Sequence, residues 1–133
     1  MRLISVKNFY GADRILFALL QERTEDQSIS HKEMPTYEKH CEFVSSDPYR
    51  GWFMILNEHG LVVGTIYITE QNEIGIQIFT DSHGKGYGKK AVQIIMGMYK
   101  GPFLANINPK NQRSIQFFEG FGFKHIQNTY ASS

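Results

Sequence analysis

Apolar residues in the first third of the chain recur with strand spacing and then with helix spacing. Residues 3–6 form a short apolar run that predicts an opening strand. Residues 12–19 place apolar side chains on one helix face, and the polar residues 21–32 predict a loop. A second helix is expected to begin at Pro35, with its apolar face over residues 37–44.

Three strand-like runs follow in the middle of the chain. They span residues 52–56, 61–69 and 73–79 and are rich in β-branched and aromatic side chains. The connections between them are of hairpin length, so the three strands are predicted to be antiparallel neighbours. Because side chains alternate along a strand, the isoleucines of the third run face one way and the residues between them face the other.

The last third of the chain alternates helix and strand patterns. Residues 87–99 carry an apolar stripe wide enough for a helix that lies on a sheet, and residues 112–120 carry a shorter one. Residues 103–107 and 123–129 predict strands. We therefore expect one α/β (α+β) domain over residues 1–133, with a mixed sheet, helices on both faces and the order β-α-α-β-β-β-α-β-α-β.

The composition argues against several classes of protein. With 133 residues, 41% of them hydrophobic and 14% aromatic, the chain is able to bury a core, which excludes a disordered protein. A net charge of +1 offers no positive excess for a phosphate backbone, so no nucleic-acid partner is expected. No apolar run approaches about 18 residues, so no membrane span is expected. The N-terminus lacks the apolar core of a signal peptide, which predicts a cytoplasmic protein.

The cysteine and the histidines of the chain form no metal-binding motif. Cys41 is the single cysteine, which excludes an internal disulfide and a cysteine-based zinc site. The five histidines do not have the spacing typical of metal ligands, so no metal is expected.

Three glycines, Gly84, Gly86 and Gly88, lie between the third strand of the middle group and the next helix. Glycine lets a ligand approach the backbone, and the N–H groups and dipole at a helix start favour a phosphate. Lys85, Lys89 and Lys90 add positive charge at the same end. The G-x-G-x-G spacing fits neither the G-x-G-x-x-G of dinucleotide-binding folds nor the P-loop, so a phosphate-bearing ligand of another class is predicted.

Two segments share a pattern with a known family. Residues 83–88 are HGKGYG, and residues 108–123 are NPKNQRSIQFFEGFGF. The first resembles the [Q/R]-x-x-G-x-[G/A] pyrophosphate loop of the GNAT superfamily of N-acetyltransferases, and the second resembles that family's N-x-x-(S/A)-x-x-[FY]-[FY]-E-x-x-G-F block. The resemblance covers residues 61–129 well. It implies a single acyl-CoA N-acyltransferase domain that transfers acetyl from acetyl-CoA to a primary amine of a small molecule or a peptide.

The resemblance also implies roles for individual residues. The loop backbone would hold the CoA pyrophosphate, and the main chain around Ile78 and Phe79 would pair with the pantetheine arm. Asn111 would reach a pantetheine amide, and Ser114 lies one turn further on. The cofactor-binding positions implied in this way are Ile78, Phe79, His83, Gly84, Lys85, Gly86, Tyr87, Gly88, Lys89, Asn111, Ser114 and Phe118.

The catalytic residues follow the family pattern only in part. Acetyl transfer to an amine requires a base for the amine, a donor to the oxyanion and a proton for the leaving thiolate. Glu73 matches the acidic position from which many relatives deprotonate the amine. The position of the usual tyrosine proton donor is Phe118, which has no hydroxyl. Tyr67 and Tyr130 are candidates to replace that hydroxyl, although the sequence places neither.

The sequence says less about the acceptor amine and its pocket. Residues 28–40 are loosely similar to family members that acetylate amino sugars on nucleotide carriers. Because Phe118 lacks a hydroxyl, the alternative function is a catalytically degenerate CoA-binding module that acts as a sensor or assembly partner. The tail leaves room for one final strand where relatives have two, so the sheet edge is expected either to stay short or to be completed by a partner chain in a homodimer. The candidate acceptor-pocket residues are His31, Glu33, Tyr37, His40 and Trp52.

Overall fold

The structure, a computed structural model, describes residues 1–23 and 33–132 of the chain. Short 3-10 turns lie at Val6–Asn8 and Thr80–Ser82. None of the helices within the described ranges is long and apolar enough to cross a membrane. The regular elements are β1 (Arg2–Ser5), α1 (Ala12–Glu22), α2 (Tyr37–Ser45), β2 (Gly51–Leu56), β3 (Val62–Ile68), β4 (Ile74–Ile78), α3 (Tyr87–Met98) and α4 (Gln112–Glu119).

The first two helices differ slightly from their predicted bounds. Helix α1 continues to Glu22, into the segment predicted as a loop, and residues 24–32 of that segment lie outside the described residues. Helix α2 begins two residues after Pro35, because Thr36 is its N-cap: the Thr36 side-chain oxygen accepts a hydrogen bond from the Lys39 N–H at 3.2 Å.

The strands form one antiparallel sheet in the order β1-β2-β3-β4. Met54 of β2 pairs with Ile4 of β1 on one side and with Thr65 of β3 on the other, and Thr65 pairs in turn with Gln77 of β4. The predicted antiparallel pairing of the three middle strands is therefore confirmed. The register sets which side chains share a face, because alternate residues of a strand point to opposite faces.

Helices cover both faces of this sheet, as predicted. On one face, Met54 and Leu56 pack with Leu16 and Leu19 of α1. The other face is covered by α3 and α4, and the isoleucines of β4 lie on it. The α/β fold class is confirmed. The buried residues of the second face are Ile55, Val63, Ile66, Ile68, Ile74, Ala91, Val92, Ile95 and Phe118.

The prediction of two strands near the C-terminus is wrong. Residues 103–107 make one parallel bridge, in which Ile74 N–H donates to Leu104 O at 2.7 Å and Leu104 N–H donates to Asn72 O at 2.9 Å. Their apolar alternation reflects packing of Phe103, Ala105 and Ile107 on the α3 face rather than strand pairing. Residues 123–129 pair with no strand within the described structure, because only Phe123 of them packs against the core and the rest are exposed.

Candidate functional site

Strand β4 has an edge that faces a cleft. Ile74 N–H bonds to Leu104 O on the side away from β3. In an antiparallel strand alternate residues point their main-chain groups to the same side, so the N–H and C=O groups of Ile76 and Ile78 also point away from β3. Beyond Leu104, residues 105–108 make no further bridge to β4 within the described structure. A cavity of about 460 Å³ lies there, lined by both segments.

The glycine loop closes one end of this cleft. Gly84 and Gly86 have φ of 78° and 82°, which other residues rarely adopt. Gly86 is the N-cap of α3, and its carbonyl accepts the Lys90 N–H at 3.2 Å. The N–H groups of residues 87–89 therefore precede the helical ladder, at the positive end of the helix dipole. A β-carbon at Gly84 or Gly86 would meet no heavy atom within 4 Å, so the backbone is accessible to a ligand there.

His83 ties this loop to the two walls of the cleft. Arg113, in the first turn of α4, donates to His83 Nδ1, because a guanidinium has only donors. Nδ1 is therefore an acceptor, and the other ring nitrogen, Nε2, donates to Ile78 O at 2.9 Å. The loop, the end of β4 and the start of α4 are joined through one imidazole ring.

Ten of the twelve predicted cofactor positions line the cavity. Phe79 and Lys85 do not: Phe79 packs on the α1 face of the sheet, and Lys85 is exposed. Cofactor binding by each of these residues stays a prediction. The ten that line the cavity are Ile78, His83, Gly84, Gly86, Tyr87, Gly88, Lys89, Asn111, Ser114 and Phe118.

Two of these residues also have structural roles in α4. Asn111 is the N-cap, and its side-chain oxygen accepts from Ser114 N–H at 3.1 Å. Phe118 is 5% exposed, and its ring lies 5.1 Å from that of Phe117 and 5.2 Å from that of Phe123, centroid to centroid. The ring that replaces the usual tyrosine therefore forms part of the core as well as the cavity wall.

The carboxylate of Glu73 is held at the start of β4. Thr69 Oγ1 donates to its Oε1 at 3.0 Å, and Asn106 Nδ2 donates to its Oε2. Glu73 is half-buried but does not line the cavity, whereas Asn106 does. Its role as the catalytic base stays a prediction.

Tyr67 is a site residue that the sequence did not place. Its ring occupies the space that a β-carbon at Gly75 of β4 would fill, and it stacks on Tyr49 with centroids 3.9 Å apart and planes 7° apart. Both tyrosines line the cavity. Burial raises the pKa of Tyr67 and that of Tyr49, so both phenols are protonated at neutral pH. A glycine within a strand indicates that another group approaches the backbone closely, so Gly75 is the sequence signal for this contact.

The candidate acceptor residues are divided between the cavity and the surface. His40 and Trp52 line the cavity. Tyr37 lies outside it and donates to Asp13 Oδ2 at 3.3 Å. Glu33 is exposed, and His31 lies outside the described residues. No cluster of three or more potential metal-ligating side chains occurs in residues 1–23 and 33–132.

The fold and the cleft together define an α/β protein in which a strand edge and a glycine loop line one cavity. Residues 12–124 match the family model described as Acetyltransferase (GNAT) domain. The chain belongs to the GNAT acetyltransferase family. No curated protein matches its sequence.

Solved structures share the fold at low sequence identity. A GNAT superfamily phosphinothricin acetyltransferase from Sinorhizobium meliloti, in complex with AcCoA, is similar with a TM-score of 0.73 and 20% identity over 92% of this chain and 74% of that one. An N-acetyltransferase from Staphylococcus aureus Mu50 has a TM-score of 0.71 and 20% identity over 95% and 83%. A chimera of the spermidine N-acetyltransferase SpeG from Vibrio cholerae and hSSAT has a TM-score of 0.67 and 14% identity over 96% of this chain and 84% of that one.

Proposed function

We propose that the protein is an N-acetyltransferase that moves the acetyl group of acetyl-CoA to a primary amine of a small molecule or a peptide. The observation that carries the proposal is the cleft itself. The β4 edge, the glycine loop and the start of α4 line one cavity, in a chain of the GNAT family. The structurally similar S. meliloti enzyme was solved with AcCoA, which supports the choice of donor.

The loop fits a pyrophosphate on two observations of its own. The backbone at Gly84 and Gly86 is accessible, and the N–H groups of residues 87–89 precede the helical ladder. Lys89 is exposed and lines the cavity, so its ammonium group adds positive charge there. Such N–H groups with a nearby cation are a common site for phosphate.

The β4 edge fits the pantetheine arm. Ile76 and Ile78 turn main-chain groups toward the cleft, and the Ile78 carbonyl is already bonded to His83. The Ile76 N–H and C=O and the Ile78 N–H would then pair with pantetheine amides. One of these N–H groups would also donate to the carbonyl oxygen of the acetyl group, where negative charge develops during transfer.

When bound, acetyl-CoA supplies an activated acetyl thioester. The amine nitrogen forms a bond to the acetyl carbon and loses a proton, the C–S bond breaks, and the thiolate takes up a proton. Glu73 is proposed to accept the proton of the amine through a water, since its carboxylate lies behind Asn106 at the cavity wall. The Tyr67 hydroxyl is proposed to donate toward the departing sulfur, because its ring lies on β4 at Gly75.

The experiment that tests the cofactor uses two neighbouring lysines. Lys89 and Lys90 are both exposed, but only Lys89 lines the cavity. By calorimetric titration, Lys89→Glu should bind acetyl-CoA about tenfold more weakly than wild type, which is about 1.4 kcal/mol. Lys90→Glu changes the net charge equally and should have a clearly smaller effect. Equal affinity of both variants and wild type would remove the loop from the proposal.

The alternative, a degenerate module that binds CoA without turnover, rests on Phe118 in place of the usual tyrosine. The two functions differ in the release of free CoA from acetyl-CoA with a panel of amines, because both should bind CoA. A cytoplasmic location and a homodimer remain proposals. Sedimentation velocity of the purified protein tests the dimer, and a monomer at all concentrations would contradict it.

A further inference from the structure

The cavity continues past β4 onto the face of the sheet that α1 and α2 cover. Leu16 and Leu19 of α1 line this part, together with side chains from α2, β2 and β3. We call this part the inner arm. The inner arm meets the cleft at Gly75, on the strand whose edge is proposed to hold the thioester. An acceptor amine that reacts there would have the rest of its molecule in the inner arm.

Four aromatic rings form a continuous wall of the inner arm. Tyr49 stacks on Tyr67, and its centroid lies 4.9 Å from that of Trp52 at an interplanar angle of 80°. Phe43 completes the wall, with centroids 5.9 Å from Tyr49 and 6.0 Å from Trp52. All four residues line the cavity, so the wall offers apolar ring faces and edges against which an aromatic ring packs edge-to-face or offset-stacked.

Several polar atoms around this aromatic wall are paired within the chain. Trp52 Nε1 donates to Thr65 Oγ1 at 2.9 Å, and Thr65 Oγ1 donates to Phe53 O at 2.8 Å. Gln77 Nε2 donates to Leu19 O, and His40 Nε2 bonds to Asp13 O at 2.8 Å. A ligand rich in hydroxyl groups would find few free partners among these atoms. Each hydroxyl group left without a hydrogen bond would cost about 1–3 kcal/mol of binding free energy. A sugar ring is therefore a poor occupant.

The charge of the inner arm points to an anionic substituent. Arg23, the C-cap residue of α1, lines the cavity and is exposed. Burial raises the pKa of Tyr49 and of Tyr67, and the positive charge of Arg23 opposes that rise. A guanidinium has five N–H donors, which allows a carboxylate in addition to the contacts that Arg23 makes within the chain. None of the described residues that line the cavity is an Asp or Glu.

We propose that the acceptor is an aromatic amino acid: a primary amine on a flat apolar body with a carboxylate. The ring packs on the aromatic wall, the carboxylate meets Arg23, and the amine lies where the inner arm meets the cleft, beside the Tyr67 ring that covers Gly75. This inference rests on the proposed function, because it names the acceptor for the same site. The N–C bond forms at the amine and the thioester C–S bond breaks, so N-acetyl amino acid and free CoA are the products.

Trp52 gives a readout of the inner arm that does not depend on turnover. It is the only tryptophan of the chain and it lines the cavity, so its fluorescence reports binding there. With CoA present in place of acetyl-CoA, L-phenylalanine should change this fluorescence saturably. Phenethylamine lacks the carboxylate and alanine lacks the ring, so each should bind at least about tenfold more weakly. Tighter binding of spermidine or glucosamine than of L-phenylalanine would overturn the proposal, as would the absence of any response to L-phenylalanine.

Two substitutions with matched controls test which side chains bind the carboxylate and the ring of the ligand. Arg23→Gln should abolish the preference for L-phenylalanine over phenethylamine, whereas Arg14→Gln on the same helix, outside the cavity, should retain it. Phe43→Leu should weaken L-phenylalanine binding about three- to tenfold. Phe17→Leu should leave it unchanged, because Phe17 contacts Tyr37 and His40 but does not line the cavity. Equal effects within either pair would overturn the assignment, provided that circular dichroism shows all four variants folded.

A parallel turnover assay separates this inference from the proposed function. If amines are acetylated but the order of kcat/KM places spermidine or glucosamine above L-phenylalanine, the acceptor class is wrong and the function stands. If L-phenylalanine binds as expected and no amine releases CoA from acetyl-CoA, the acetyltransferase function is wrong and the binding preference stands. Release of CoA with L-phenylalanine as the best acceptor supports both.

Discussion

The phenol ring of Tyr67 lies directly on the backbone of Gly75, in the space that a side chain at residue 75 would need. The two residues are register partners on adjacent strands, so any β-carbon at residue 75 points at the ring. The contact fixes the position of the Tyr67 hydroxyl where the inner arm meets the cleft. It also gives the absence of a side chain at residue 75 a specific physical reason.

Gly75→Ala should therefore destabilise the protein. The added methyl group overlaps the Tyr67 ring, and overpacking of this kind typically lowers the free energy of unfolding by about 1–3 kcal/mol. Urea denaturation measures the change. In a Tyr67→Ala background the same substitution should have a much smaller effect, since the obstructing ring is gone. An equal loss in both backgrounds would show that the ring is not the cause.

Gly97→Ala is the opposite case and serves as the control. Gly97 lies in α3, and a β-carbon there would meet no heavy atom within 4 Å. Alanine is the better helix former, so the free energy of unfolding should rise by about 0.5–1 kcal/mol in the same urea titration. A loss of stability at Gly97 would contradict the geometry of α3.

The sequence predicted the elements of the cleft but not how they meet. Hydrophobic spacing identified β4 and α3, and the glycine spacing identified the loop between them, because these are local properties of the chain. Apolar alternation predicts a strand over residues 103–107. Alternation indicates only that side chains are buried, however, and does not indicate whether the main chain pairs with β4. Here the pairing is limited to Leu104, where the cleft opens. The contact of Tyr67 with Gly75 and that of Arg113 with His83 depend on register and helix placement, which no local pattern encodes.

His83 should increase the affinity for acetyl-CoA because it holds the glycine loop in place. His83→Ala removes the links to Ile78 O and to Arg113, so the loop loses two hydrogen bonds. We expect acetyl-CoA to bind about tenfold more weakly by calorimetry. His59→Ala, an exposed histidine in the turn between β2 and β3, is the control and should bind normally. If the affinity of His83→Ala stays within about twofold of wild type, the imidazole does not support the loop.

Alkaline pH should destabilise the protein through Tyr49. Burial raises the pKa of Tyr49 above its ordinary value of 10.0, so the folded state keeps a proton that the unfolded chain releases. The stability that follows is fully present below the unfolded pKa and is lost as the pH rises above it. In urea titrations between about pH 8 and pH 11, Tyr49→Phe should lose less stability than wild type. Tyr10→Phe, at a fully exposed site, should match the wild-type loss. An equal pH response of Tyr49→Phe and wild type would contradict the prediction.

The proton donor is tested by removing single hydroxyl groups. Tyr67→Phe keeps the ring on Gly75 and loses only the hydroxyl, so acetyl-CoA affinity should be unchanged while kcat falls. A general acid typically contributes about 10²- to 10⁴-fold, which sets the expected decrease. The matched control is Tyr130→Phe, whose ring is 89% exposed and which should retain the wild-type kcat.

Glu73→Gln completes the test of the proton path. The amide keeps a hydrogen-bonding side chain next to Thr69 and Asn106 but does not accept a full proton. If Glu73 is the base, kcat should fall by about 10²-fold or more with acetyl-CoA affinity unchanged, as for Tyr67→Phe. The double variant should then be only slightly slower than either single one, because the two groups act on the same reaction step. A wild-type rate in Glu73→Gln together with a slow Tyr67→Phe would assign both proton transfers to the tyrosine side of the cleft and to solvent.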